Sequence, residues 1–258
     1  MPRTTFGRSD ASNALIFKYP EKHKNMKHLN FFVFILAVAI LASCNKPNEQ
    51  ATGIGDAVIV AKKSGSNTVY GLSLYAYTYS SFQTVKAISS AAPEKTYNLK
   101  AYQGYKSNFY YETPDSSYTT TPPAATTFNF SATFENGVSN TFEDELTDKV
   151  LALPIIDTCQ YNSTKHLLRL TWEKVPDAFS YSINILDDTK LVFGSVELSN
   201  TVQAFSISAS GGGWLQGFTP ESGKTYIVRL NAFLFEQQND AYNVQAVSVS
   251  DSTAVWGN

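Results

Sequence analysis

Residues 166–172 read HLLRLTW. In an extended chain Leu168, Leu170 and Trp172 point one way, and Arg169 and Thr171 point the other. That two-residue period is the mark of a half-buried strand. A loop with Pro follows at 173–177, reading EKVPD, and then the same period returns. Tyr181, Ile183 and Ile185 alternate with Ser182, Asn184 and Leu186. Asp187-Asp188 supplies turn chemistry, and apolar runs at 191–196 and 202–207 continue the pattern. No long window carries a 3.6-residue apolar stripe, so the body reads as all-β.

Residues 217–232 read GFTPESGKTYIVRLNA. Tyr226, Val228, Leu230 and Ala232 form one strand face, and Phe218 and Pro220 stand eight and six residues ahead of the Tyr. An apolar residue, a Pro-bearing turn and a strand opening on Tyr resemble the fibronectin type III pattern. The stretch LRLTWEKVPDAFSYSINI resembles that family's second and third strands. The resemblance covers roughly residues 150–258. It implies that Trp172 is the core tryptophan and that the Tyr226 hydroxyl folds back onto the preceding turn as a tyrosine corner. It implies nothing about a ligand, because this architecture hosts many functions.

Upstream, residues 53–148 carry shorter alternations. Strands are expected at 56–62 and 68–79, the latter with Tyr75, Tyr77 and Tyr79 on one face and Leu72, Leu74 and Ala76 on the other. Shorter strands are expected at 96–101 and 108–112, and a hairpin at 127–142 with Asn136-Gly137 giving φ > 0 at its turn. The Thr-, Ser- and Pro-rich segment 113–126 reads as a loop. Residues 141–151 read as a strand end plus linker, with a helical turn as the other possibility. The expected fold is therefore two tandem β-sandwich domains. The first, at 53–148, is immunoglobulin-like, the second, at 149–258, is fibronectin type III-like, and the junction lies near 147–154.

Ahead of this body, residues 31–42 read FFVFILAVAILA, twelve apolar residues without a charge. A membrane-spanning helix needs about 20, whereas a signal peptide needs an apolar core of ~7–15. Lys24, Lys27 and His28 give it a basic front, and Leu41-Ala42-Ser43-Cys44 closes it. Those four residues resemble a bacterial lipobox. The resemblance implies diacylglyceryl on the Cys44 sulfur, cleavage just before it and acylation of the new terminus. Two or more acyl chains give a stable anchor. The expected layout is a leader at 1–43 with its true start at Met26, then a polar tether at 44–52. Asn45 occupies the place where Asp commonly retains lipoproteins at the inner membrane. The lean is towards the outer membrane, periplasmic or surface-facing.

Residues 1–43 hold six of the 20 Lys/Arg and two of the 22 Asp/Glu, leaving a net charge of −6 on the rest. An acidic body has no electrostatic footprint for nucleic acid. Catalytic residue types are scarce beyond the leader. His166 is the one histidine there and Cys159 the one thiol besides Cys44, with no Gly-x-Ser-x-Gly elbow. A Cys159–His166 nucleophile pair is conceivable only with a lowered thiol pKa; the plainer reading is a buried, inert cysteine on the first strand of the second domain and a surface histidine. One His and one Cys cannot build a zinc site. Glu143, Asp144, Glu145 and Asp148 could gather a cation, against the plainer reading of a solvated, charged linker. No catalytic residue, metal or cofactor is expected.

Aromatic surplus is the suggestive feature, with 15 Tyr and 17 Phe. Rings stack on sugar faces and anchor protein contacts. Tyr75, Tyr77, Tyr79 and Trp214 are the candidate ligand contacts. Alternating tyrosines can equally pack along their own sheet. The run Gly211-Gly212-Gly213 before Trp214 could hold that ring at a loop tip or bend the chain so that it caps the core. Phe233 and Phe235 suggest an outer apolar stripe against the first domain or a partner. The expected function is a non-catalytic, lipid-anchored envelope binding or adhesion module for a glycan or a protein. A structural or assembly subunit of an envelope complex is the alternative, with a hydrolase of envelope polymers behind both.

Overall fold

The computed structural model describes residues 51–236 and 243–257. The expected leader, Cys44 and residues 45–50 of the tether lie outside the described residues. The chain is all-β. Strands β1 (Ile54–Ser64), β2 (Asn67–Tyr77), β3 (Phe82–Ser89), β4 (Ala92–Tyr102), β5 (Tyr105–Glu112), β6 (Thr126–Phe134) and β7 (Ser139–Leu146) make the first sandwich. Strands β8 (Ile156–Asn162), β9 (Leu167–Trp172), β10 (Ser180–Asp187), β11 (Lys190–Gly194), β12 (Leu198–Ser199), β13 (Ala204–Ser208), β14 (Thr225–Phe235) and β15 (Val244–Val255) make the second. One 3-10 turn, Asp115–Ser117, is the sole helical piece among the described residues. No described helix is long and apolar enough to cross a membrane.

In the first sandwich, β6 shows how sequence becomes burial. Phe128, Phe130, Ala132 and Phe134 are buried, and Asn129 and Ser131 between them are exposed. The hairpin to β7 forms as expected, but only Gly137 takes a positive φ, at 81°. Asn136 acts through its side chain instead, its Oδ1 accepting the Val138 N–H at 3.1 Å. The antiparallel order β2-β5-β4-β3-β6-β7 wraps the chain around Phe82. That ring lies 5.5 Å from Phe109 and 5.1 Å from Phe134. β1 pairs with β2 and closes onto β7, where the Ala57 N–H donates to Asp144 Oδ2 at 2.8 Å. The approach is close: a Cβ on Gly55 would stand 2.5 Å from the Phe130 ring.

In the second sandwich, the sheet β13-β9-β8 faces β11, β10, β14 and β15. Leu168, Leu170 and Trp172 are buried together, and Trp172 meets Tyr181 edge-on at 5.5 Å. Tyr226 is buried, and its hydroxyl accepts the Glu221 N–H at 3.0 Å, closing the expected corner over the Pro220 turn.

The two halves share main-chain pairing. β15 runs antiparallel to β14 and parallel to β1, with Ile59 to Lys62 opposite Ala246 to Val249. One 12-stranded sheet therefore passes through both sandwiches. β15 serves both cores: Ala246 belongs to the first and Ala254 to the second. The segment between the halves is fastened to the same strand. Gln245, 1% exposed, accepts the Thr147 N–H at 3.1 Å and donates to the Thr147 and Lys149 carbonyls at 3.2 and 3.1 Å. The expectation of a solvated acidic linker needs correction at Asp144, which sits on β7 and is buried because β1 packs over it.

Candidate functional site

Side chains that face away from the cores line a groove of about 750 Å³. It crosses β10, β14, β15, β1 and β2, so both sandwiches build it. The two-residue period explains its floor. On β1, Ala57, Ile59 and Ala61 point inward, while Asp56, Val58, Val60 and Lys62 line the groove. The pairing registers bring distant residues into rows. Val60 stands between Val247 of β15 and Gly71 of β2. Phe233 of β14 stands beside Val247, and Asn231 beside Val249.

Polar groups are tied to one another. Arg229 donates from Nε and Nη2 to the two Asp251 oxygens at 2.8 and 2.9 Å. Asn231 Nδ2 donates to Ser182 Oγ at 3.1 Å. Asp56 Oδ1 accepts the Val244 N–H at 3.2 Å. At the far wall, Lys62 Nζ donates to Asp115 at 2.6 Å and lies 3.8 Å above the Tyr118 ring. Lys62 thereby holds the Asp115 carboxyl below its usual pKa. Tyr118 itself covers Gly71, where a Cβ would come within 2.6 Å of its ring. A glycine is thus needed there for the wall to close.

Tyr75 and Tyr77 form the aromatic side, near-parallel at 6.2 Å between ring centres. Burial, then the Glu112 charge, pushes the Tyr75 hydroxyl up to about 12. Burial and the same carboxylate raise Tyr118 to about 12. Burial and the Asp56 charge raise Tyr77. All three hydroxyls stay protonated at neutral pH and can both donate and accept.

The other two sequence-derived candidates stand elsewhere. Tyr79 lies past the end of β2 and is fully exposed. Thr78 ends the strand, its Oγ1 donating to the Thr52 carbonyl and accepting the Ser80 N–H. Trp214 caps the second core. Its Nε1 donates to the Ser208 carbonyl at 2.9 Å, and its ring touches Phe193, Phe218 and Trp256 at 5.0, 5.5 and 5.4 Å. Gly213, at φ 103°, lets the chain fold tightly over Phe193 to put it there. Of the outer stripe, Phe233 lines the groove and Phe235 packs on Phe179 at 5.0 Å.

Arg229, Asp251, Asn231 and Lys62 did not stand out from the sequence. Their only early signal was the outward position on an alternating strand.

His166 is exposed in the turn between β8 and β9, at φ 53°. Cys159 pairs opposite Leu170, three residues along β8 from the turn end, or about 10 Å at strand rise. Burial pushes its thiol pKa up, the opposite of what a thiolate nucleophile needs. Among the described residues no group of three or more His, Cys, Asp or Glu could hold a metal.

The fold and this face define an all-β, tandem-sandwich module with a recessed outer surface. No protein-family model matches the chain, and no curated protein matches it. Among solved structures it is similar to a two-domain fibronectin type III segment of chicken tenascin. The identity is 11% over 74% of this chain and 98% of that one, with a TM-score of 0.26. The BSP domain of a biofilm associated protein aligns at 13% identity over 78% of this chain and 29% of that one, with a TM-score of 0.22. A tetra-tandem repeat from the extending region of a large adhesion protein aligns at 16% over 78% and 50%, with a TM-score of 0.24. At such values these likenesses say nothing about what the groove holds.

Proposed function

We propose that this chain is a lipid-anchored module of the cell envelope whose groove binds a ligand without turning it over. The anchor is Cys44, which takes diacylglyceryl on its sulfur, is freed of the leader and is then acylated on its new amino terminus, and the outer membrane is its site. The ligand is a glycan or a protein surface. One observation carries the reading: the groove is built jointly by residues more than 150 positions apart, such as Tyr75 and Arg229. It combines aromatic rings, an aliphatic floor and fixed polar groups, the mixture that ligand sites of about 300–1,000 Å³ use. The non-catalytic part of the reading is supported by two facts: the Cys159 thiol and His166 lie outside the groove, and two of its carboxylates, Asp115 and Asp251, are already paired to Lys62 and Arg229.

Two measurements test the two parts. Cells fed labelled palmitate should label the wild-type chain and leave Cys44→Ala unlabelled and released from membranes; equal labelling of both would remove the anchor. Pull-downs and glycan arrays with the wild-type chain and with Tyr75→Ala should show a ligand held by the first and lost by the second. Retention of every captured ligand by Tyr75→Ala would remove the groove from the reading.

A further inference from the structure

Resting on the reading of the groove as a ligand site, we infer that its occupant is a neutral oligosaccharide. Charge is the first reason. The groove is lined by four carboxylates (Asp56, Glu112, Asp115, Asp251) and three cations (Lys62, Lys63, Arg229), so no sign dominates. Its strongest charges already face each other, in the Arg229–Asp251 fork and the Lys62–Asp115 pair. A charged ligand would compete with these contacts. A neutral one leaves them in place.

Hydrogen-bond character is the second. A guanidinium carries five N–H donors, and Arg229 gives two of them to Asp251. The carboxylate keeps unused lone pairs. Donors and acceptors thus stand side by side in one rigid plane, which suits adjacent hydroxyls that donate and accept at once. The protonated Tyr75 and Tyr118 hydroxyls add the same dual character at the opposite wall. Between them lie Val60, Val247 and Val249 and the Tyr75–Tyr77 rings, an apolar surface for the C–H faces of sugars.

Topology is the third reason, and it weighs against an extended peptide. Main-chain recognition of a peptide needs a sheet edge with unpaired N–H and C=O groups. Across the middle of the groove the strands beneath it, β10, β14, β15, β1 and β2, are interior to the sheet, with Ile59 to Lys62 of β1 paired to Ala246 to Val249 of β15. A peptide would meet side chains only, whereas an oligosaccharide asks for nothing else.

The test uses the full chain purified in detergent. Probes are a neutral glucan and mannan series, a polygalacturonate and sulfated glycan series, and a panel of extended peptides. Binding is expected to neutral glycans, with a Kd that changes less than about twofold between roughly 0.05 and 0.5 M salt. Arg229→Ala and Tyr75→Ala should each weaken it by about tenfold or more, while Tyr75→Phe, which keeps the ring, should weaken it less. Circular dichroism checks that each variant folds. Should Arg229→Ala not fold, the contrast between Tyr75→Ala and Tyr75→Phe carries the same test. Binding of acidic glycans or peptides that these variants abolish would overturn the neutral-glycan inference and leave the groove as a binding site. No binding in any series, or binding that the variants leave intact, would overturn both.

Discussion

Asp144 is an acid on a strand whose neighbours Glu143 and Glu145 are exposed, yet it is itself only 7% exposed. Burial raises its pKa above the ordinary 3.8, and the N–H bonds from Ala57 and Glu145 pull it down by less. The folded chain therefore holds this proton more tightly than the unfolded chain does. The resulting stability is full below the unfolded value of 3.8 and is lost as pH rises through the raised folded value. Asp144→Asn keeps an oxygen for Ala57 and removes the charge. It should match or exceed the wild type at neutral pH, and the wild-type decline just above the ordinary carboxylate range should flatten. Asp144→Ala should instead cost roughly 1–3 kcal/mol at every pH, because the buried Ala57 N–H loses its acceptor. Urea unfolding of the three proteins between about pH 3 and 7 reads this directly. An Asn variant as unstable as the Ala variant would mean that the negative charge itself holds β1 to β7.

At the scale of the strand, the start of β1 is set by space. Gly53 and Gly55 have no positive φ, but a Cβ on either would come within 2.5 Å of Phe142 or Phe130. Those two rings stack at 5.3 Å and cannot both retreat. Gly55→Ala should therefore overpack the closure and cost about 1–3 kcal/mol in chemical denaturation, while Gly104→Ala, open in space but at φ 84°, isolates the separate backbone effect. Which strands could be read from sequence follows from the same packing. β6, β9 and β10 each serve one core with a regular inward row, as β14 does from Tyr226 to Ala232, and their alternation is plain. β3 hides because a register shift between Phe82 and Thr84 breaks its period. β8 is legible only as the first strand of the second half, the one carrying Cys159, without bounds or an inward row, because Asp157, Thr158, Gln160 and Asn162 make it a polar edge. β15 hides because Gln245, Ala246 and Ser248 are buried between β14 and β1, where small and polar side chains fit and apolar contrast vanishes. Half of the groove was readable for the same reason. Tyr75 and Tyr77 announce an outward row, but nothing local in the sequence says that β14 will lie three strands away.

That neighbourhood exists only through the parallel pairing of β1 with β15, so the whole molecule, and not either sandwich, is the unit that owns the groove. The pairing joins Ile59 to Lys62 with Ala246 to Val249, and Gln245 locks the connecting segment beside it. Loss of the second sandwich would strip β1 of a neighbour and uncover the first core at Ala246. The two halves should consequently unfold together. The chain offers a clean way to see this, because Trp172, Trp214 and Trp256 all lie in the second half. Tryptophan fluorescence therefore follows that half alone, while far-ultraviolet circular dichroism follows both. In the wild type the two urea transitions should coincide, the signature of a single cooperative unit. Gln245→Ala leaves the Thr147 N–H and two carbonyls without their partner and should cost roughly 1–3 kcal/mol. With the lock gone, the tryptophan and dichroism midpoints should separate. Separate midpoints in the wild type would make the seam a contact between independent domains, and a groove shared by both would then be open to rearrangement.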